Sequence, residues 1–186
     1  MNRDMMKSMV GKIIKIDRGG PESRIGKLLD VYDDHLVIIT EDDGVVYYAT
    51  QHIKSVTENA KEQLEFNIEV PEGFEFKKAN TFHTLLEALK FQWVKINRGG
   101  PEKLEGVLSD VNQHFVSLIN KEEIVRLSMF HIRNISYGLK IEKEEEQQSD
   151  DKQNNQAKMS DDDKQQARNR VVKSESSNQY ARNKER

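Results

Sequence analysis

The residues of this chain that could carry chemistry fall into matching groups. Four of the five histidines pair as His35 with His114 and His52 with His131, at the same spacing in both cases. Four equivalent histidines could bind a metal ion, but none of them stand at the i, i+4 spacing that places two ligands on one helix face. Hydrogen-bonded structural histidines are therefore favoured, and no metal site is predicted.

Adjacent carboxylates occur at predicted turns, where solvated acids are expected. These pairs are Asp33-Asp34, Asp42-Asp43 and Glu122-Glu123. The chain has no cysteine, which excludes disulfides, thiolate metal ligands and cysteine nucleophiles. No activated nucleophile or phosphate-cradling glycine loop is recognisable. We therefore predict a protein that is not an enzyme and takes no cofactor. An enzymatic function would require a deep polar pocket shared by the two halves of the chain.

One five-residue run occurs twice, RGGPE at 18–22 and at 98–102, each followed four positions later by a glycine. The predicted turn-forming residues are Gly19, Gly20, Pro21, Gly99, Gly100 and Pro101. Turn chemistry explains neither the arginine nor the glutamate. The arginine and the glutamate are inherited from the duplication, or contact each other across the turn, or are presented to a protein partner. The predicted partner contacts are Arg18, Glu22, Arg98 and Glu102.

The composition indicates folded modules and an unfolded portion. The 186 residues are 33% charged and 35% hydrophobic, with a formal net charge of −3. The mildly acidic balance does not favour nucleic acid. No apolar run approaches membrane-spanning length, and the start is too polar for a signal peptide, so no membrane association is predicted and synthesis is expected in a cytosol.

The chain contains an internal repeat. Lys15 to Val31 match Lys95 to Val111; one residue is then taken to be lost before His114, which sets His35 against His114. The run HIKSV at 52–56 then matches HIRNI at 131–135. The predicted divisions are a first repeat at 1–58, a linker at 59–80, a second repeat at 81–138, and a disordered charged tail at 139–186. The alternating segment LEFNIEV favours an extra strand in the linker.

Each repeat is predicted to contain a short helix followed by five short strands. The helix of the second repeat has Asn80 or Thr81 as its N-cap, and Asp43-Gly44 predicts a type I′ hairpin turn in the first. Phe91 and Trp93 are predicted core residues. The predicted fold is mainly β, with two tandem small five-stranded SH3-like or Sm-like barrels, each preceded by a short helix.

The segment WVKINRGGPEKLEGVLSDVNQHFVSLINKEEIVRLSMFHIRNIS resembles the repeated module of the spore coat protein B family of endospore-forming bacilli. The shared features are the RGGPE turn, the following glycine and the ending FHI-basic-x-I, in repeated copies ahead of a polar tail. The resemblance covers roughly residues 5–138. It departs in the tail, which is rich in Gln, Asn and acids, with only KSESS at 173–177 of the Ser/Lys/Arg character found in the family.

This resemblance implies a structural protein of the spore coat, made in the mother-cell cytoplasm and deposited on the forespore. It implies other spore coat proteins as partners and a coat-associated kinase acting on the tail. Two similar modules on one chain predict assembly by multivalent contacts, and self-association into a homo-oligomer is consistent with them. The alternative function, by analogy of fold, is an Sm-like RNA-binding protein.

Overall fold

The structure is a computed structural model that describes residues 2–59, 61 and 64–138. The tail at 139–186, for which disorder is predicted, lies outside the described residues. In the described part of the chain, neither helix has the length or the apolar character needed to cross a membrane.

Each repeat has one helix and five strands, which agrees with the predicted order of elements. The first repeat contains α1 (Arg3–Lys7), β1 (Ile13–Ile16), β2 (Arg24–Val31), β3 (His35–Thr40), β4 (Gly44–Ala49) and β5 (Val56–Thr57). The second contains α2 (Phe82–Ala88), β6 (Trp93–Ile96), β7 (Leu104–Val111), β8 (Phe115–Asn120), β9 (Glu123–Ser128) and β10 (Asn134–Ser136). A short 3₁₀ turn precedes the last strand of each repeat, at Thr50–His52 and Met129–His131.

The ten strands form one antiparallel sheet in the order β5-β1-β2-β3-β4-β10-β6-β7-β8-β9. The mainly β prediction is confirmed, whereas two separately closed barrels are not. In each repeat the fifth strand pairs with the first, and β4 pairs with β10 of the other repeat, with Tyr47 opposite Ile135. The physical reason is that the free edges of the fourth and fifth strands satisfy each other's hydrogen bonds across the two repeats.

The strands β3 and β4 are buried on both faces. One face contributes Leu36, Ile38, Val46 and Tyr48 to the core of the first repeat, together with Met6 and Met9 from the α1 region. The other face contributes Val37, Ile39, Val45, Tyr47 and Ala49 to a second core, shared with α2 and the interior of the second repeat. The continuous apolar runs of these strands are typical of strands covered on both sides.

Helix α2 begins as its sequence predicts. Thr81 is the N-cap: its side chain accepts from the backbone N–H of Thr84, and the Thr84 hydroxyl accepts from the N–H of Thr81. This capping box satisfies two of the free donors at the start of the helix. The core prediction for the residues after α2 is wrong, because Phe91 is 77% and Trp93 51% exposed. Phe91 has φ 65, a backbone conformation that turns the chain sharply into β6.

The described linker residues, 59, 61 and 64–80, form no strand, so the extra strand predicted for LEFNIEV is absent. The segment instead packs its aromatic side chains, among them Phe66, Phe74 and Phe76, on the shared core. Its backbone is held at isolated points, such as the bond from the Tyr47 hydroxyl to the Lys77 carbonyl at 3.0 Å. Alternating apolar residues can therefore be buried by a surface without a neighbouring strand.

The strand register corrects the alignment of the two repeats. Val31 faces Leu36 and Val111 faces Val116, so the loop between the second and third strands has the same length in both repeats. The missing residue lies in the next turn, where Thr40 faces Gly44 but Asn120 faces Glu123.

Matching His35 with His114 is therefore wrong: His35 matches Phe115, and Asp34 matches His114. A register shift between Leu28 and Asp30 recurs between Leu108 and Asp110 and fixes the pairing before the third strand. The hairpin at 40–44 is present, but it is not type I′, since only Gly44 of the proposed pair has positive φ.

Candidate functional site: the paired RGGPE turns

The two RGGPE turns each connect the first and second strands of a repeat, and they lie against one another. A Cβ atom on Gly99 would overlap the carbonyl oxygen of Pro21, and one on Gly100 would stand 2.6 Å from Oε1 of Glu22. The turns meet beside the β4–β10 pairing. We call this region the repeat seam; it comprises 18–24 and 43–49 of the first repeat and 97–102 and 131–136 of the second.

The residue before each turn ties the first strand to the segment that enters the fifth. Asp17 and Asn97 both have φ 53, a left-handed conformation that Asp and Asn tolerate better than most residues. Oδ1 of Asp17 accepts from the backbone N–H of Lys54 at 2.9 Å. Oδ1 of Asn97 accepts from the N–H of Arg133 at 2.8 Å, and its amide donates to the His131 carbonyl at 2.8 Å. The backbone around both turns is thereby held in the same way.

Two ion pairs cross the repeat seam. Glu22 of the first turn pairs with Arg133, and Arg98 of the second turn pairs with Asp43. Asp43 also accepts from Nε of Arg24 at 2.8 Å, and its side chain is only 6% exposed. Charges removed from water in this way are costly to leave unpaired, so each partner fixes the position of the other.

The four predicted contact residues therefore occupy two different environments. Glu22 and Arg98 are 15% and 18% exposed in their side chains and are occupied within the repeat seam. Arg18 and Glu102 are exposed and have no ion partner in the described part of the chain. Only Arg18 and Glu102 are thus available to another molecule.

The two Gly-Gly-Pro turns, which contain the six predicted turn-forming residues, differ in backbone conformation. Gly20 has φ 87 in the first turn, whereas Gly99 has φ 89 in the second. These are not matching positions, because Gly99 corresponds to Gly19. The second turn is the one pressed against Pro21, and it carries an additional bond from the N–H of Gly100 to the carbonyl of Asn97 at 3.3 Å.

Sequence reasoning missed the partners of these charges. Asp43 was predicted to be a solvated turn acid, which is wrong because Arg24 and Arg98 enclose it. Arg133 is the basic residue of the repeated HIK/HIR run, and its pairing with Glu22 joins positions far apart in the sequence. The signal for both pairs, opposite charges at the repeat seam, is visible only once the β4–β10 pairing is known.

His35 and His52 contact aromatic side chains in the described part of the chain. His35 is fully buried, its Nδ1 stands 3.0 Å from Oδ1 of Asp34, and its ring stacks on Tyr32. Burial lowers the pKa of His35, against the opposing effect of Asp34. His52 lies against Phe130 of the second repeat, and burial lowers its pKa as well. The described residues contain no group of three or more metal-binding side chains.

Two comparisons with known proteins bear on this architecture. A family model described as the YwrJ third domain matches residues 3–56, which lie in the first repeat. Spore coat protein B of Bacillus subtilis (strain 168) is 35% identical over 144 residues, which is 75% of this chain and 37% of that protein. The chain thus spans little more than a third of the relative's length. The similarity to spore coat protein B confirms the resemblance that the repeated RGGPE module indicated.

Proposed function

We propose that this chain is a structural component of the bacterial spore coat. The observation that carries the proposal is the 35% identity to spore coat protein B over 75% of the chain. We propose synthesis in the mother-cell cytoplasm, deposition on the forespore and other coat proteins as partners. Neither comparison supports the RNA-binding alternative.

The proposed mechanism is adhesion through several protein contacts made by one rigid pair of repeats, 1–58 and 81–138, joined by the linker 59–80. Each repeat would curl around its own core as a small SH3-like or Sm-like barrel. Support comes from the core of the first repeat, in which Ile14 and Ile16 of β1 pack in the same cluster as Val46 and Tyr48 of β4. Arg18 and Glu102 are the proposed contact charges, and fixing them on one body lets weak contacts act together.

The tail adds a further proposed contact. The serines of KSESS at 173–177 are the positions proposed for a coat-associated kinase, because phosphate groups there would add negative charge to a basic segment.

A fluorescent fusion followed through sporulation tests the coat role. We expect a ring around the forespore that persists on released spores. Uniform fluorescence throughout the mother cell at every stage would overturn the proposal. The control is a fusion of the fluorescent protein alone, expressed from the same promoter.

A further inference from the structure

The contact between the two repeats is not symmetric, because it joins different edges of similar units. The first repeat contributes its fourth strand with the acids Glu22 and Asp43; we call this set of elements an acidic edge. The second contributes its fifth strand with the bases Arg98 and Arg133; we call this set a basic edge. Every repeat has both edges, so one edge of each repeat remains unused within the chain.

The unused edges carry the matching charges. The strand register equates Glu102 and Glu122 of the second repeat with Glu22 and Asp43 of the first. It equates Arg18 and Lys54 of the first repeat with Arg98 and Arg133 of the second. All four of these unused charges, Arg18, Lys54, Glu102 and Glu122, are exposed and lack an ion partner among the described residues.

The unused edges also end the sheet. Its outermost strands are β5 and β9, which correspond to β10 and β4. An unpaired edge strand presents backbone donors and acceptors to any strand of suitable shape. The brevity of β5 does not prevent pairing, because β10 has only three residues and pairs with β4 along all of them.

The second repeat exposes apolar side chains at positions that are buried in the first, as expected for a sheet edge that a partner covers in part. Ile119 and Ile124 are 40% and 60% exposed, whereas the matching Ile39 and Val45 are fully buried. Further along the same face the second repeat has Arg126 where the first has Tyr47, so the area that the linker covers in the first repeat is polar in the second. The exposed apolar side chains of the second repeat therefore lie beside the turn between β8 and β9, which carries Glu122.

We propose that copies of this chain associate head to tail, the acidic edge of one copy pairing with the basic edge of the next. Glu102 then pairs with Lys54 of the neighbouring copy, and Glu122 with its Arg18. The N–H of Ser128 donates to the carbonyl of Lys54, as the N–H of Ala49 donates to the carbonyl of Arg133 at 2.9 Å within the chain.

The sheet thus continues from copy to copy. A contact of this kind gives a ring if the rotation closes and a filament if it does not. The inference goes beyond the proposed coat role and does not depend on it, since it concerns the purified protein alone.

A charge-swap experiment tests the pairing on the full chain. The acidic-edge variant carries Glu102→Lys and Glu122→Lys, and the basic-edge variant carries Arg18→Glu and Lys54→Glu. Light scattering after size exclusion is recorded over a series of concentrations, with folding checked by circular dichroism. The control matched to the acidic-edge variant carries Glu69→Lys and Glu72→Lys, which raises the net charge by the same amount as that variant at exposed linker positions.

We expect the wild-type chain and the control to form species heavier than a monomer as concentration rises. Each edge variant alone should remain a monomer, since its two edges have the same sign. An equimolar mixture of the two variants should regain the heavier species, because the unaltered edges of the two variants complement each other, and so do the two reversed edges. A monomeric wild type at every concentration, unimpaired assembly of either variant, or a mixture that stays monomeric would each overturn the proposal.

Discussion

Gly99 is the residue at which turn conformation and repeat contact meet. Its φ is 89, and a Cβ atom there would overlap the Pro21 carbonyl, whereas the matching Gly19 has no described atom within 4 Å of that position. We expect Gly99→Ala to lower the free energy of unfolding by about 1–3 kcal/mol. Gly19→Ala, the matched control, should change it by less than about 0.5 kcal/mol. Urea unfolding of both variants measures the difference, and equal effects would contradict this account.

His35 makes stability depend on pH. Burial lowers its pKa in the folded chain below the ordinary value, so the unfolded chain binds the proton more readily. The stability contributed by neutral His35 is fully present above about pH 6.5 and is lost as the pH falls below that value. We expect urea unfolding to show lower stability near pH 5.5 than near pH 7.5.

The control for this prediction is supplied by the other repeat. Phe115 occupies the position that matches His35. Replacing His35 by Phe removes the buried titrating group while keeping an aromatic ring, so the loss of stability on acidification should become smaller. His52 continues to titrate in this variant, so some pH dependence remains. An unchanged pH profile would mean that His35 does not determine it.

At the scale of elements, the turn between β3 and β4 holds the first repeat against the second through ion pairs. Its Asp43 accepts from Arg24 within the repeat and pairs with Arg98 across the seam. Asp43→Ala leaves both guanidinium groups without their carboxylate, and we expect it to cost about 1–3 kcal/mol, since the arginines remain partly hydrated. Glu122→Ala, at the matching exposed position, should cost less than about 0.5 kcal/mol when both variants are compared at a dilution at which the chain is a monomer. Thermal unfolding compares the two; similar losses would contradict a special role for Asp43.

The helices and strands were predictable because their signals are local. The N-cap at Thr81 and the strands on either side of RGGPE follow from residue types at short spacing. The pairing of β4 with β10 was not predictable, since periodicity does not specify which edge a strand joins. Adjacent Tyr47 and Tyr48 face opposite sides of β4 and both are buried, but the run VVYYA does not specify what covers each side.

The candidate site was predictable only in part, for a related reason. Repetition of RGGPE identified Glu22 and Arg98, but their partners Arg133 and Asp43 lie in other loops of the opposite repeat. The alignment error had a different cause. A histidine in both loops suggested that the second repeat lacks one residue before its third strand. The missing residue instead lies in the turn between the third and fourth strands, where few contacts constrain the length of the chain.

At the scale of the whole folded part, the two repeats share one sheet and one core. Helix α2 and the interior of the second repeat pack in the same cluster as Val37, Ile39 and Val45 of the first. Unfolding the second repeat alone would expose this face of β3 and β4 together with the edge of β4. Burial of apolar area stabilises by about 25 cal/mol per Å², so that exposure is costly, and we expect the repeats to unfold together.

A matched pair of core substitutions tests this cooperativity. Leu28 and Leu108 occupy matching positions, one in each repeat, and both are fully buried. Leu→Ala at either position should cost about 2–5 kcal/mol by removing apolar contacts and leaving a cavity. If the repeats unfold as one unit, calorimetry shows a single transition in the wild type and in both variants. The calorimetric and van't Hoff enthalpies then agree, and each substitution lowers the one melting temperature. Two separate transitions, with Leu28→Ala moving one and Leu108→Ala the other, would show that the shared sheet does not couple the repeats.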